Sequence, residues 1–368
     1  MELNILYSTI ASCDEPSADI RRLLKGVPID RVCGLVIFCL ENETGYHSML
    51  RGFKSSMHEL SGRRIPITLV PQPLLPDGRL AAEIYTITGV DDIHYDEKDG
   101  LAYGIIENSG YSMIFTEGVA SSFFSDGVSQ QSREVFDRLD HILTTNGFTA
   151  ADIVRQWNYI GNITCHRNGR QNYQEFNDAR SAYYQTVSWT NGYPAATGIG
   201  ASCEGIIVGC IAFKSDKGIF PINNPLQIAA HAYSKNVLID DNAGAIKSTP
   251  KFERAKLIEI GDSACCFVSG TAAIRGEQSM DMNSARSQTI QTIENIEHLV
   301  SKENLMRFGC KAYDLKLANL RIYIKNAEDY DQVRATVEEL YPQVPAIYTV
   351  ADVCRDELLV EIEGILIS

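Results

Sequence analysis

The pattern of apolar and polar positions predicts the same order of elements twice along the chain. Short apolar runs broken by turn residues predict strands, and apolar residues at helical spacing predict helices. In the first half the predicted elements are strands at Tyr103–Ile106 and Ser112–Phe115, a helix at Ser132–Asn146, a strand at Ile153–Ile160, a helix at Tyr173–Tyr184 and a strand at Ile206–Phe213. The resulting order is β-β-α-β-α-β.

The second half repeats this order. Its predicted elements are strands at Lys256–Ile260 and Cys265–Ser269, a helix with the apolar stripe Ile290, Ile293, Ile296 and Leu299, a strand at Leu320–Lys325, a helix at Asp329–Tyr341 and a closing strand at Leu358–Ile367. We therefore expect an α+β fold of two tandem units, in which mixed sheets pack against helices.

The two units also align residue by residue, but only the second unit carries an acidic residue in its closing strand. Phe136 and Ile290 are separated by the same number of residues as Arg180 and Arg334. In the closing strand of the second unit, Glu361 stands where the first unit has a glycine. A duplicated fold that keeps one acid indicates one working site and one scaffold.

The domain boundary is predicted in the connection Lys214–Lys251, which contains Pro221, Pro225 and Pro250. We assign residues 1–225 to an N-terminal domain, with the degenerate unit at about 100–215, and residues 226–368 to a C-terminal catalytic domain. The first hundred residues include a buried strand at Gly34–Leu40 but carry no further assignment.

Composition narrows the class of protein. The chain has 368 residues, 45% of them hydrophobic, and a net charge of −14, which argues against nucleic-acid and anionic-membrane partners because both need a basic surface. No signal peptide or membrane-length apolar run is present, so we expect a cytoplasmic protein with reduced cysteines. Cys165-His166 lacks a second pair at ligand spacing, and we expect no metal and no organic cofactor.

Several segments resemble the chorismatase family, whose members have a YjgF/RidA-like (chorismate-mutase-like) fold. The resemblance runs from about Tyr103 to the C-terminus. The matching segments are Val154–Trp157, Phe176–Arg180, Tyr193–Ala201, Phe267–Ala272, the helix Gln288–Leu299 and Cys354–Glu363. Such enzymes split chorismate into pyruvate and a ring acid, in secondary metabolism.

The resemblance implies particular roles for individual residues. Glu361 matches the catalytic acid, and Gly270 and Cys354 match two positions that separate the subtypes of the family. Glycine with cysteine is similar to the subtype that forms 3-hydroxybenzoate, whereas the hydrolytic subtype tends to carry alanine at the first position. The substrate-binding residues implied are Arg180 and Arg334 for the carboxylates and Tyr233 in the lining of the site.

The residues themselves permit these roles and also simpler ones. Alternation along the closing strand places Glu361 and Glu363 on one face, where apolar neighbours could raise a carboxyl pKa, or where the carboxylates could lie on a surface edge. Arginine suits carboxylate recognition because its planar fork donates two parallel hydrogen bonds, although both arginines could lie on solvated helix faces.

Two further residues, Thr197 and Gly198, belong to a glycine-bearing segment with two open interpretations. Its backbone N–H groups could approach an anion, or the segment could form a tight turn between helix and strand. Cys354 is either a buried strand thiol or the residue that steers the ring intermediate.

Our interpretation is a chorismatase that converts chorismate to 3-hydroxybenzoate and pyruvate. The alternatives are a hydrolytic chorismatase giving 3,4-dihydroxycyclohexa-1,5-diene carboxylate, a RidA-like imine deaminase and a non-catalytic ligand-binding protein. Simple RidA-type deaminases use an arginine shortly before the last strand, and here Val353 stands at that position while Arg355 is displaced. We expect a monomer or a homotrimer.

Overall fold

The computed structural model describes most of the chain, and every structural statement below concerns the described residues. These are residues 2–11, 15–40, 43–76, 79–122, 127–167, 169–216, 218–234, 248–280 and 284–368. The middle of the predicted connection, residues 235–247, lies outside them.

The first 88 residues form a unit of their own, which we call the N-terminal unit. Its elements are β1 (Glu2–Ala11), α1 (Pro16–Leu23), β2 (Val32–Cys39), α2 (Glu43–Ser61), β3 (Ile67–Pro71) and β4 (Arg79–Thr88). The strands form a sheet in the order β1-β4-β2-β3, in which only β2 and β3 are parallel.

The middle unit carries the larger sheet predicted for the first half. Its elements are β5 (His94–Lys98), β6 (Leu101–Asn108), β7 (Tyr111–Thr116), β8 (Val119–Ala120), α3 (Val128–Thr145), β9 (Ile153–Gly161), β10 (His166–Arg167), β11 (Arg170–Gln171), α4 (Asn172–Tyr184), β12 (Ala195–Ala201) and β13 (Ile206–Ser215). The main sheet runs β12-β9-β13-β7-β6-β5.

The C-terminal unit repeats this plan. Its elements are β14 (Ile219–Ile222), β15 (Ala255–Ile260), β16 (Ser263–Ala272), β17 (Ile274–Arg275), β18 (Gln278–Ser279), α5 (Ala285–Val300), α6 (Lys302–Arg307), β19 (Lys316–Ile324), α7 (Tyr330–Leu340), β20 (Ala346–Val350) and β21 (Val360–Ile367). The main sheet runs β14-β15-β16-β21-β19-β20.

All three units share one strand topology. The order β1-β4-β2-β3 matches β7-β13-β9-β12 and β16-β21-β19-β20, each with a parallel pair at one end. The N-terminal unit lacks the strand that corresponds to β6 and β15. The predicted α+β class and the two tandem units are confirmed, and the structure adds a third, shorter unit that the sequence pattern did not indicate.

The parallel strands of the three units meet at one place. Gln72 Nε2 donates to Gly200 O at 2.6 Å, Gly200 N donates to Asp352 O at 2.9 Å, and Val350 N donates to Pro73 O at 2.9 Å. These bonds join the ends of β3, β12 and β20 in a ring, so the chain contains an internal pseudo-threefold arrangement.

The sheets pack face to face around this axis, with their helices outside. One apolar cluster continues from Ile37 in the N-terminal unit through Tyr159 in the middle unit to Phe267 in the C-terminal unit. Separate clusters lie under α3 and α4 and under α5 and α7. Burial of this kind is the main stabilising contribution to such a fold.

Two predictions about the connections need comment. The proposed boundary at residue 225 stays a prediction; β14, which ends just before it, already pairs with β15 in the C-terminal sheet. The segment at Thr197–Gly200 is neither a tight turn nor an anion loop, because it forms strand β12 and pairs with β9.

Among the described helices, none has the length and apolar character needed to cross a membrane. In the described part of the chain, the free thiols include those of Cys33, Cys165, Cys210, Cys265, Cys266, Cys310 and Cys354.

Candidate active site

A cavity of about 410 Å³ lies between the middle and C-terminal units. The middle unit contributes residues from β12 and from the first turns of α4, and the C-terminal unit contributes residues from β16, β21 and the loop before β21. The two sides are joined by hydrogen bonds, since Ala196 N donates to Ser269 Oγ at 2.8 Å. No described residue of the N-terminal unit lines the cavity.

Glu361 is the acid that faces this cavity. Its side chain is on β21 opposite Tyr323 of β19, and only 5% of the residue is exposed. Burial, and then the neighbouring charge of Glu363, raise the pKa of Glu361 to about 8, although Arg254 and Arg155 act in the opposite direction. The carboxyl is therefore largely protonated at neutral pH and can act as a general acid.

Glu363, two residues further along the same face, has the opposite character. Its Oε2 accepts a hydrogen bond from Arg155 Nη2 at 2.6 Å. Its Oε1 accepts one from Trp157 Nε1 at 2.8 Å and lies 3.1 Å from Arg321 Nη1. Burial alone would raise the pKa of Glu363, but the two arginines outweigh burial and lower it below its usual value. Glu363 is thus a fixed negative charge beside a neutral acid.

Gly270 leaves the space that Glu361 occupies. A Cβ atom at position 270 would lie 2.9 Å from Cδ of Glu361, closer still to its Oε1, and 3.0 Å from Cγ2 of Thr197. Any larger residue at position 270 must therefore displace the acid or the strand beside it.

Thr197 has a different place from the one predicted. Its Oγ1 accepts from Gly270 N at 3.0 Å and from Arg155 Nη2 at 2.8 Å, and it donates to Glu363. A hydroxyl has one donor and two acceptor positions, so all are used within the protein. We correct its assignment from a substrate contact to a residue that joins β12 to the strands bearing the two glutamates.

Two arginines lie at the cavity, but they are not the predicted pair. Arg254 Nη2 donates to Tyr233 Oη at 2.6 Å and to Ile228 O at 2.9 Å. Arg355 Nη1 donates to Ser279 Oγ at 3.0 Å and to Glu277 O at 3.1 Å. The two guanidinium groups lie 5.6 and 5.7 Å from the ring of Tyr233, which also lines the cavity.

Arg334 does not reach the cavity, and its prediction as a substrate ligand is corrected. It lies on the outer face of α7, with 49% of its side chain exposed, and its Nε donates to Glu338 at 2.7 Å. The cavity is formed by α4 of the middle unit together with strands of the C-terminal unit. The equivalent helix of the C-terminal unit, α7, is not part of the cavity, so equivalent positions on α4 and α7 do not converge on one site.

Arg180 lies behind the cavity wall on α4. It is 1% exposed, and its Nη2 donates to Oδ1 of Asn177, which itself lines the cavity. Its Nε has no hydrogen-bond partner among the described residues. Arg180 therefore supports the wall and adds positive charge there, rather than forming the wall itself.

Cys354 and Gly198 both line the cavity. Burial, and then the charge of Glu361, raise the pKa of Cys354 to about 12, so this residue is a neutral thiol. A Cβ at Gly198 would lie 3.1 Å from Cε2 of Tyr173, and the glycine therefore makes room for that ring.

The cleft at the equivalent place between the N-terminal and middle units is almost closed. Its volume is about 20 Å³, and it is lined by Thr68 and Gly209. Gly209 lies opposite Trp157 in the middle sheet as Glu361 lies opposite Tyr323 in the C-terminal sheet. This contrast supports the expectation of one working site and one scaffold.

The cavity residues that were not predicted include Tyr173, Arg254 and Arg355. Arg355 was noted only as displaced from the position used in imine deaminases, yet it reaches the cavity, so this displacement does not argue against imine hydrolysis. Arg254 precedes a predicted strand and carried no repeat signal. In the described part of the chain, no group of three or more His, Cys, Asp or Glu side chains is placed to hold a metal ion.

Comparisons with known proteins agree with this site. A family model described as "Chorismatase FkbO/Hyg5-like, N-terminal" matches residues 86–212. A 3-hydroxybenzoate synthase of Streptomyces hygroscopicus is 29% identical over 79% of this chain and 83% of its own length. A chorismatase of Streptomyces rapamycinicus is 30% identical over 63% of this chain and 68% of its own length.

A solved chorismatase structure has the same fold. It superposes with a TM-score of 0.73 at 20% sequence identity, and the match covers 99% of this chain and 98% of that one. Together with the relatives above, this places the protein: the chain belongs to the chorismatase family.

Proposed function

We propose that this protein converts chorismate to 3-hydroxybenzoate and pyruvate at the cavity between the middle and C-terminal units. The observation that carries the proposal is a buried carboxyl, Glu361, whose pKa of about 8 keeps it protonated beside two cavity arginines. A protonated acid and a positively charged wall are what an anionic enol ether requires.

The charges of the wall suit the substrate. Chorismate carries two carboxylates, and Arg254 and Arg355 offer two guanidinium groups, 5.6 and 5.7 Å from the ring of Tyr233. Charge-assisted hydrogen bonds from arginine to carboxylate are among the stronger polar contacts, so these residues would fix the orientation of the enol ether toward Glu361.

The first chemical step is a proton transfer. Glu361 gives its proton to the terminal methylene carbon of the enol ether, which forms an oxocarbenium ion. The ether bond to ring carbon C3 then breaks with its electron pair moving to oxygen, and pyruvate departs. The carboxylate that proton transfer leaves on Glu361 stabilises the cationic intermediate.

The ring then becomes aromatic without added water. The hydroxyl on C4 attacks C3 as pyruvate leaves and returns its proton to Glu361, which gives an arene oxide. Opening of the C4–O bond and loss of the hydrogen on C3 as a proton give 3-hydroxybenzoate. Chorismate thus yields the two products with no further reactant.

Gly270 and Cys354 favour this route over the hydrolytic alternative. Gly270 leaves Glu361 in place, and Cys354 is a neutral thiol without the nucleophilic character of a thiolate. The first relative described above is a 3-hydroxybenzoate synthase, which supports the same product.

One chain is sufficient for the site. Every lining residue that the structure describes comes from two units of the same chain, and the three units already form a closed ring. We therefore propose that a monomer is catalytically competent, in keeping with the expectation of a cytoplasmic enzyme.

The test is incubation of the purified protein with chorismate, followed by chromatography of the ring products and assay of pyruvate. Equal amounts of 3-hydroxybenzoate and pyruvate are expected, and Glu361→Gln should be folded but inactive. A dihydrodiol product would favour the hydrolytic alternative. No turnover of chorismate, or full activity of Glu361→Gln, would contradict the proposal.

A further inference from the structure

We propose that Glu83, in the N-terminal unit, is a positioning residue for the acid at the active site. Glu83 fixes Arg321, and Arg321 in turn helps to fix and neutralise Glu363. The inference rests on the proposed function, because it concerns how Glu361 stays protonated for catalysis. It gives the N-terminal unit, which lines no part of the cavity, a part in the chemistry.

Glu83 is completely buried on β4 and is surrounded by donors. Its Oε1 accepts from Arg321 Nε at 2.7 Å, from Tyr7 Oη at 2.9 Å and from Asn319 Nδ2 at 3.2 Å. Its Oε2 accepts from Tyr85 Oη at 3.0 Å and from Arg321 Nη2. Such a pairing is bidentate and fixes the guanidinium plane.

Arg321 transmits this constraint to the C-terminal sheet. Its remaining nitrogen, Nη1, lies 3.1 Å from Oε1 of Glu363 and donates to Tyr159 Oη at 2.9 Å. One arginine therefore bridges a carboxylate of the N-terminal unit and the carboxylate beside Glu361. If Glu83 held no charge, the whole positive charge of Arg321 would act on Glu363 and on its neighbour.

The charges in this network balance before Glu361 is counted. Two carboxylates, Glu83 and Glu363, face two guanidinium groups, Arg155 and Arg321, and all four side chains are almost fully buried. An ionised Glu361 would leave the cluster with a net negative charge in a low-dielectric interior.

Other groups also act on Glu361 and must stay constant in any test. The titratable or charged groups that face it are Glu363 on its own strand, Arg155 on β9, Arg254 before β15, Cys354 in the loop before β21 and Tyr173 on α4.

The topology that the three units share does not require this network of buried charges. Paired strands place Val36 opposite Glu83, Arg155 opposite Ile211 and Arg321 opposite Glu363. The closing strand of the middle unit, β13, carries no acidic residue. Glu83 and Glu363 lie on the closing strands of the other two units, β4 and β21, and the middle unit contributes Arg155 on β9.

The decisive variant is Glu83→Gln, which keeps the side-chain shape and removes the charge. Arg321 would then be compensated by Glu363 alone, and the extra positive potential would favour the ionised form of Glu361. Because activity needs the protonated acid, the alkaline limb of the pH–rate profile should move to lower pH, by about half a unit or more. A purely structural role would change stability or kcat but leave the limb in place.

Tyr7→Phe is the matched control, because it removes one hydrogen bond to Glu83 without changing any charge. Its alkaline limb should coincide with that of the natural protein. A double variant, Glu83→Gln with Arg321→Met, leaves Glu363 with Arg155 as its only guanidinium partner, and its limb should move to higher pH.

Infrared titration of ¹³C-glutamate-labelled protein measures the same proton without catalysis, with the Glu361 band assigned by its loss in Glu361→Gln. Absence of chorismate turnover would therefore contradict the proposed function, while this titration still tests whether Glu83 acts on the protonation of Glu361 through Arg321. The proposed role of Glu83 is overturned if the titration midpoint of Glu361 is unchanged in folded Glu83→Gln. It is likewise overturned if Tyr7→Phe folds and both charge variants fail to, because Glu83 would then serve folding alone.

Discussion

Glu361 and Glu363 lie two residues apart on one face of one strand, yet they hold opposite protonation states. The difference comes from their neighbours. Glu363 has two guanidinium groups and an indole N–H within hydrogen-bond range, whereas Glu361 borders a partly apolar cavity and the charge of Glu363. Strand alternation predicts that the two carboxyls share a face, but it carries no information on which of them is compensated.

The protonated state of Glu361 has a consequence for stability. Its pKa is about 8 in the folded protein against an ordinary value of 4.5, so the folded state binds more protons between these pH values. The contribution of Glu361 to stability is therefore present below about pH 4.5 and is lost as the pH rises toward 8. Glu361→Gln, which cannot ionise, should gain stability relative to the natural protein over this range, on the order of a few kcal/mol.

Urea unfolding of both proteins at pH 5 and pH 8 measures this difference. Glu338→Gln is the control, because Glu338 is exposed on α7 and pairs only with Arg334 in the described contacts. A difference between Glu361→Gln and the natural protein that is equal at both pH values would contradict the raised pKa.

Gly270→Ala tests the close fit between a backbone position and the acid. The added methyl group would collide with the Glu361 carboxyl, and overpacking of this kind costs about 1–3 kcal/mol. We expect a lower kcat, a lower melting temperature and a displaced acid. Gly110→Ala is the matched control, because a Cβ there meets no atom within 4 Å. Equal kcat for Gly270→Ala and the natural enzyme would show that the acid can move without cost.

At the scale of elements, the repeat identified the fold well and the ligands poorly. Helix stripes and strand alternation located α3, α4, α5 and α7, because each of these helices buries one face on its sheet. The glycine-bearing strand β12 and the short strand β20 were missed, since each pairs along one edge with a single partner strand. Glycine has low strand propensity, so only the tertiary contacts define β12.

The same repeat explains why Arg334 lies away from the cavity although it matches Arg180 in sequence. Equivalent helices occupy equivalent places relative to their own sheets, but a site between two units takes one helix and the next unit's strands. Arg180 therefore lies behind the cavity and Arg334 lies in solvent. Only knowledge of how the units pack together could have replaced Arg334 by Arg254 and Arg355.

Replacement of these arginines should separate the two assignments. Arg254→Ala removes a guanidinium from the cavity and should raise KM for chorismate about tenfold or more, since hydrogen bonds to charged groups contribute roughly 1.5–3 kcal/mol. Arg334→Ala, at an exposed ion pair, should leave KM unchanged and stability within about 0.5 kcal/mol. Steady-state kinetics on both variants decides whether Arg254 or Arg334 binds the substrate. A raised KM in Arg334→Ala alone would support Arg334, the residue implied by the resemblance.

At the scale of the molecule, the unpredicted N-terminal unit completes the ring. Its sheet has the shared topology but lacks one strand. Its helix α2 buries an apolar stripe that includes Tyr46, Phe53 and Met57, but no alignment of this stripe with the other two units was made from the sequence. Sequence periodicity compares the spacing of residues along the chain, whereas the N-terminal unit resembles the other two units in the order of its strands. The buried charges between units were equally invisible, because Glu83 and Arg321 are far apart in sequence and meet only in the assembled ring.

This packing predicts that the chain unfolds as one cooperative body. The largest apolar cluster runs through all three units, and the ion network joins β4, β9, β19 and β21, so every unit shares part of its core with its neighbours. Removal of one member of a buried ion pair typically costs about 3–5 kcal/mol. Arg321→Met should therefore lower the stability of all three units together, although its direct contacts lie in only part of the ring.

Two probes with different locations can measure this. Trp157 lies in the middle unit against Glu363, and the second tryptophan, Trp189, lies in the same unit. Tryptophan fluorescence therefore reports the middle unit and its contact with Glu363, while far-ultraviolet circular dichroism reports the helices of every unit. The two signals should change at the same urea concentration, in the natural protein and in Arg321→Met alike. If the two signals changed at different urea concentrations, the units would unfold independently. A substitution in the buried ion network would then not destabilise the helices on the outside of the molecule.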